Sequence, residues 1–285
     1  MEIKLLDLSH TYEGFKKDEQ VEAVNNVSLS INQVGEFVAV CGKTGSGKST
    51  MIQHMNALLL PTKGQIDILG SVITPKKRKN PKLNPIRKKV GFVFQFPEYQ
   101  LFEENVLKDI MFAPKNFGLT EEEAKVKALE ACKLLGIPGE LLEKSPFDLS
   151  GGQMRKVAIA GILAYNPEVL ILDEPTRGLD PEGAVEIMEL FYQIHKEMDK
   201  TIILITHDMN IVYKYANRVL VMSEGSLQYD GSKEELFKQN IYQKYDLDKP
   251  DVLKAIDFIN NELGYNISYE NYTLEDLLKS LKEVS

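Results

Sequence analysis

The pattern of apolar and polar positions divides the chain into three stretches. The first is β-rich. Residues 2–8 and 23–31 read as strands, with a polar loop over 13–22 between them. Residues 36–41 form a short apolar run ending at a glycine, the pattern of a buried strand. A helix is expected over 48–59, and strands over 65–69 and 90–95. Between these two strands lies a proline-studded stretch, 76–89, with eight Lys or Arg and no acid. It reads as a solvated loop, with a place near phosphate or lipid headgroups as the alternative.

The middle stretch, 103–165, is mostly helical. Thr120 followed by Glu123 makes a capping box that starts a helix running to Leu135. Strand and helix then alternate. Apolar runs at 168–172 and 201–206 are of the parallel-strand type, and Pro181–Met198 between them is helical. The elements add up to an α/β fold: a parallel-sheet core, a β-rich N-terminal part and an inserted helical block.

The last stretch changes character. Ser232 and Glu235 make a second capping box. Val252, Ala255, Ile256, Ile259 and Leu263 fall at helical spacing, as do Leu274, Leu277, Leu278 and Leu281. Residues 230–285 carry twelve acids against seven bases. Two readings stay open, helices that cap the core or apolar stripes that meet a second subunit. The expected division is a main domain over 1–230, with a helical subdomain over about 96–165, and a small helical domain over 231–285.

Composition narrows the function classes. The 285 residues include 34 Lys and Arg against 42 Asp and Glu, a net charge of −8. That argues against a nucleic-acid grip by bulk electrostatics. Two cysteines, Cys41 and Cys132, are too few for a disulfide scaffold and suit a reducing compartment. The first residues lack the basic-then-apolar layout of a signal peptide. The longest clean apolar run, 157–165, has nine residues, about half of a membrane span. The expectation is a soluble cytosolic chain that reaches a membrane only through a partner.

Three motifs carry chemistry. Gly42, Lys43, Thr44, Gly45, Ser46, Gly47, Lys48 and Ser49 fit G-x-x-x-x-G-K-[ST], after a strand and before a helix. Such a loop turns its N–H groups, including that of Thr50, toward a phosphate. Lys48 can then reach the β- and γ-phosphates, and the Ser49 hydroxyl can bind Mg²⁺. Val169 to Leu172, followed by Asp173 and Glu174, is a buried strand that projects two acids at its C-terminal end. Asp173 would hold Mg²⁺, and Glu174 is placed to polarise an attacking water. Leu149, Ser150, Gly151, Gly152 and Gln153 precede a helix expected over 154–165 and form a second anion site.

In this order, with His207 after the last strand, the motifs resemble those of the ATP-binding-cassette (ABC) ATPases. The resemblance covers about residues 1–230, and the five-residue signature at 149–153 is specific to that superfamily. It implies a head-to-tail dimer in which the signature of one chain completes the ATP site of the other. It also implies that Tyr12 stacks on adenine, that Gln95 senses Mg²⁺ and the γ-phosphate, and that His207 contacts the γ-phosphate. Gly178, Leu179 and Asp180 match the loop that faces the partner across the dimer. Arg177 departs from the pattern, standing where a small residue is expected.

A narrower resemblance lies beyond Gln95. Phe94-Gln-Phe-Pro-Glu-Tyr-Gln-Leu-Phe102, then 106–110 and 114–118, is similar to the ATPases of energy-coupling-factor (ECF) vitamin transporters, and most to the second of their two ATPase subunits. That implies a related ATPase as dimer partner, a transmembrane coupling protein whose helices dock near Phe96, Tyr99 and Phe102, and a separate solute-binding membrane protein. It places the chain on the cytoplasmic face of the cell membrane, with ATP and Mg²⁺ as ligands and no nucleic acid. The alternatives are the ATPase of a dedicated cobalt or nickel importer and a soluble, non-transport ABC ATPase. For the three aromatics, the alternative is that they belong to the core.

Overall fold

A computed structural model describes residues 2–13, 20–32, 34–76, 80–269 and 273–284. The N-terminal half runs β1 (Ile3–Glu13), β2 (Gln20–Ile31), β3 (Phe37–Cys41), α1 (Lys48–His54), β4 (Lys63–Ile68), β5 (Ser71–Ile73), α2 (Asn84–Lys89), β6 (Val90–Val93), α3 (Val106–Asn116), α4 (Glu121–Leu134) and α5 (Gly151–Leu163). It continues with β7 (Val169–Asp173), α6 (Pro181–Met198), β8 (Thr201–Ile205), α7 (Met209–Tyr215), β9 (Arg218–Ser223) and β10 (Ser226–Ser232). The tail holds α8 (Lys233–Lys238), α9 (Ile241–Lys244), α10 (Asp251–Glu262) and α11 (Leu274–Val284).

Two sheets result. One is antiparallel, in the order β2-β1-β4-β5. The other has the order β10-β9-β3-β8-β7-β6, all parallel except the edge strand β10. Side chains alternate across the second sheet, as strand geometry requires. Phe37, Ala39, Cys41, Leu170, Leu172, Ile202 and Leu204 enter one core with helices α3 to α6. Val38, Val40, Val169, Ile171, Ile203 and Ile205 enter the other, with α1 and the antiparallel sheet. Because β3, β6, β7 and β8 are parallel, their C-terminal ends share one edge, where loops of an open α/β sheet receive ligands. Gln95, Gly42, Glu174 and His207 all follow those ends.

Several expectations needed correction. The helix expected over 48–59 stops at His54. Asn56 Oδ1 accepts the Leu58 N–H at 3.1 Å, and Ala57 takes φ 56°, so a turn replaces the last coil of helix. The basic stretch 76–89 is not loop throughout. Asn84–Lys89 is α2, started by Pro85 and anchored by buried Ile86; residues 77–79 lie outside the described residues. The loop expected over 13–22 overlaps β1 and β2, whose strands reach Glu13 and back to Gln20; residues 14–19 lie outside the described residues. Strands β5, β9 and β10 were not anticipated. Ser232 caps α8 by accepting the Glu235 N–H at 3.1 Å.

The capping box at Thr120 is present, with both bonds made. In the tail, Val252, Ile256 and Ile259 join the first core, as does Leu277. Leu263, Leu274 and Leu278 stay exposed.

Candidate active site

The loop after β3 is held by its glycines. A Cβ on Gly42 would lie 2.1 Å from the Met222 carbonyl oxygen, and one on Gly47 would lie 2.2 Å from that of Ala23. Both residues also have positive φ, 135° and 96°, so no other residue fits without strain. Lys48 follows at the start of α1. Its ammonium donates to the carbonyls of Gly42 (2.7 Å) and Lys43 (2.8 Å), bracing the loop from inside. Burial pulls the Lys48 pKa down, against the pull of Glu174 and Asp173. The Lys43 side chain leaves the loop and pairs with Asp246 of the tail at 2.6 Å. What Lys43 can offer a phosphate is therefore its backbone N–H.

Asp173 ends β7 beside the loop, its Oδ1 3.5 Å from the Ser49 hydroxyl. Burial raises its pKa more than that hydroxyl and Lys48 lower it. A hydroxyl and a carboxylate next to a phosphate loop are hard oxygen donors of the kind that Mg²⁺ takes, with few protein ligands. Among the described residues no group of three or more His, Cys, Asp or Glu is placed to hold a metal by itself. The donor set therefore fits a cation shared with a phosphate.

Glu174 sits one residue further, in the left-handed region at φ 47°. That is a costly conformation for a glutamate, of the kind found at functional sites. Its carboxylate is the meeting point. Gln95 Nε2 donates to Oε2 at 2.8 Å, Arg177 to the same oxygen at 3.2 Å, and His207 Nδ1 lies 3.3 Å from Oε1. Glu174, His207, Thr44 and Arg177 line one cavity of about 500 Å³. Arg177, which departs from the family pattern, thus pairs with an acid.

Tyr12 is 41% exposed on β1, its hydroxyl 3.3 Å from that of Thr50. Its ring rests edge-on against His10, centroids 4.6 Å apart. His10 in turn meets His54 of α1 at 3.0 Å, and His54 Nδ1 donates to the Thr50 carbonyl at 2.7 Å. Burial pushes the His54 pKa down to about 4. An open aromatic face is therefore tied to the helix that follows the phosphate loop.

The signature residues lie elsewhere. Ser150 is the N-cap of α5, accepting the Gln153 N–H at 3.3 Å, while Gln153 Oε1 accepts the Ser150 N–H at 3.0 Å. Gln153 is thus the second half of a capping box, and the helix starts at Gly151 rather than at 154. Ser150, Gly152 and Gln153 line a different cavity, of about 530 Å³, that shares no residue with the first. Neither Gly151 nor Gly152 has anything within 4 Å of a would-be Cβ.

The aromatic segment is exposed. Tyr99 is 82% and Phe102 56% accessible, and Phe96 stacks loosely on Tyr99. These are not core residues.

The ABC transporter family model matches residues 24–177. The curated "Energy-coupling factor transporter ATP-binding protein EcfA2" of Bacillus thuringiensis (strain Al Hakam) is 50% identical over 285 residues, covering 100% of this chain and 96% of that protein. The chain belongs to the ECF transporter ATP-binding family. Solved relatives of this ECF-family chain agree in fold. cbiO1 from Clostridium perfringens, part of the ABC transporter complex cbiONQ, aligns with TM-score 0.72 and 36% identity over 90% of this chain and 98% of that one. The ATP-binding cassette MJ0796, described as a dimer after hydrolysis with ADP and Pi bound, aligns with TM-score 0.70 and 32% identity over 81% of this chain and 98% of that one.

One functional candidate was missed from sequence. Arg155, two residues past the signature, is 3% exposed and forks onto Glu98. Nothing local distinguishes an inward-facing arginine in α5 from a surface one.

Proposed function

We propose that this chain is the ATP-hydrolysing subunit of an ECF-type importer of vitamins or related micronutrients, acting as half of an ABC dimer on the cytoplasmic face of the membrane. The observation that carries this reading is the convergence on Glu174 of Gln95 and His207, beside the Ser49–Asp173 pair and the phosphate loop. Lys48 exchanges its two loop carbonyls for β- and γ-phosphate oxygens when ATP enters. Thr50 and the loop N–H groups of 42–49 face the phosphate chain, and Tyr12 receives the adenine ring. Ser49, Asp173 and the Gln95 side-chain amide oxygen would hold Mg²⁺, which would supply charge neutralisation on the phosphates. Glu174 accepts a hydrogen bond from the attacking water and then its proton. The new bond joins that oxygen to the γ-phosphorus while the bond to the β-bridging oxygen breaks, and ADP departs. His207 donates toward the γ-phosphate oxygens.

The second anion site belongs to the partner's nucleotide. A glycine costs up to roughly 0.5–1 kcal/mol relative to alanine, the value for a helix interior, and nothing among the described residues requires Gly151 or Gly152 to be glycine. Close approach of another subunit's phosphate does require it. The partners are a related ATPase subunit, a transmembrane coupling protein that meets Phe96, Tyr99 and Phe102, and a solute-binding membrane protein. Among the described residues no helix is long and apolar enough to cross a membrane. Residues 1–230 form the ATPase domain, with 96–165 as its helical part, and 231–285 the dimer-associated tail.

The test is a pair of substitutions in the assembled transporter. Glu174→Gln keeps size but loses the base, so turnover drops by a factor on the order of 10² or more while ATP stays bound. Lys48→Ala weakens ATP binding itself. Wild-type turnover with Glu174→Gln sinks the assignment.

A further inference from the structure

The Arg155 guanidinium joins three parts of the chain that are distant in sequence. All five of its N–H groups find acceptors. Nε and Nη2 fork onto the Glu98 carboxylate at 3.0 and 2.9 Å. Nη2 also reaches the Gln95 carbonyl at 3.4 Å. Nη1 reaches the carbonyls of Pro175 at 3.4 Å and Arg177 at 3.0 Å. One side chain on α5 thus fixes the turn that carries Gln95 and the turn that carries Glu174. The side chains close the same ring from the other side, Gln95 to Glu174 at 2.8 Å and Arg177 to Glu174 at 3.2 Å.

The ion pair itself is a weak source of stability, since a buried pair replaced by well-packed apolar residues of similar volume is often neutral or stabilising. The three carbonyls depend on Arg155 for a donor. What the pair does achieve is geometric. The guanidinium is planar and rigid, so Glu98 cannot shift without turning the bonds to 175 and 177. Glu98 lies between Phe96 and Tyr99, in the exposed aromatic segment.

We propose that Arg155 is a positioning residue for hydrolysis: it holds Gln95 and Glu174 in register and carries displacements of the 96–102 segment to them. The inference rests on the roles given above to Gln95 and Glu174.

The assembled transporter, assayed with ATP and Mg²⁺, tests it through two variants. Arg155→Met combined with Glu98→Leu removes both charges together, so no unpaired charge is left buried, although three carbonyls lose their donor; its melting curve is recorded first. Its KM for ATP stays within about threefold of the parent, while kcat falls by a factor on the order of 10², the scale of a misplaced catalytic group. Arg155→Lys keeps the charge but cannot span the carboxylate and three carbonyls, and loses about tenfold in kcat. Parental kcat in either folded variant overturns the inference. If the double variant does not fold, Arg155→Lys decides alone; if neither accumulates, Arg155 is structural and the inference fails. Glu174→Gln run alongside separates the two claims. Normal turnover there removes the functional reading, whereas a dead Glu174→Gln beside active Arg155 variants removes only this inference.

Discussion

The phosphate loop and the signature turn are both glycine-rich turns ahead of a helix, yet their glycines stand in different surroundings. In the loop the demand is internal. Gly42 and Gly47 are pressed against the carbonyls of Met222 and Ala23, and Lys48 braces the turn from within. At the signature no internal demand is found. Gly151 and Gly152 face open space, and the N-cap is already satisfied by Ser150 and Gln153. A site shaped by its own chain reads as one that binds alone. A site that forgoes helix stability with no internal reason reads as one that waits for a partner.

The largest effect expected from this contrast is at Gly42. Gly42→Ala puts a methyl group inside a backbone carbonyl contact at a positive φ, a destabilisation of more than about 3 kcal/mol. The subunit should melt far below the parent or fail to accumulate. A parental melting curve would erase the distinction between the two glycine pairs.

Next in size is a pH effect confined to the loop side. His54 is buried and its pKa is lowered to about 4, from about 6.5 for a free imidazole, because burial favours the neutral ring. Between those values the unfolded chain binds the proton and the folded chain does not, so stability rises with pH across this window. It is fully present above about 6.5 and is lost toward 4, by about 3 kcal/mol. Urea midpoints at pH 7 and pH 5 should differ more for the parent than for His54→Gln. Equal differences would mean that the ring is not held neutral by the fold.

The smallest effect has opposite signs in its two readouts. Gly151→Ala should stabilise the isolated subunit by at most roughly 0.5–1 kcal/mol, the helix-interior value, since nothing obstructs the methyl group. The same change should slow ATP turnover of the assembled transporter. A destabilised subunit would show that Gly151 is required from within after all.

Much of this was legible in the sequence because the signals are local. The phosphate loop, the acids after β7, the Thr120 cap and α6 each rest on residues within a few positions of one another. The signature turn was legible as a motif, but its capping box was not anticipated. Strands β9 and β10 were missed although Arg218–Ser223 is largely apolar, because pairing with β3 from 180 residues away is what makes β9 a sheet strand. The end of α1 was misplaced because Asn56, an ordinary helix residue by periodicity, spends its side chain on a turn. Arg155 and Glu98 lie 57 positions apart, and only packing of α5 on the segment after β6 brings them together. The exposure of Tyr99 and Phe102 likewise follows from tertiary packing, since their spacing suits a core equally well.

The central claim is that the signature turn serves a nucleotide held by another subunit. It is tested most directly by Ser150→Arg, with ATP affinity measured on the isolated chain and turnover on the assembled transporter. The claim predicts unchanged ATP affinity in isolation, because the 149–153 turn and the phosphate loop line separate cavities. It predicts that turnover collapses by a factor on the order of 10² or more, as a bulky cation blocks the close approach of the partner's phosphate. Loss of ATP binding by the isolated chain, in step with the loss of turnover, would contradict it: Ser150 would then serve its own chain's nucleotide.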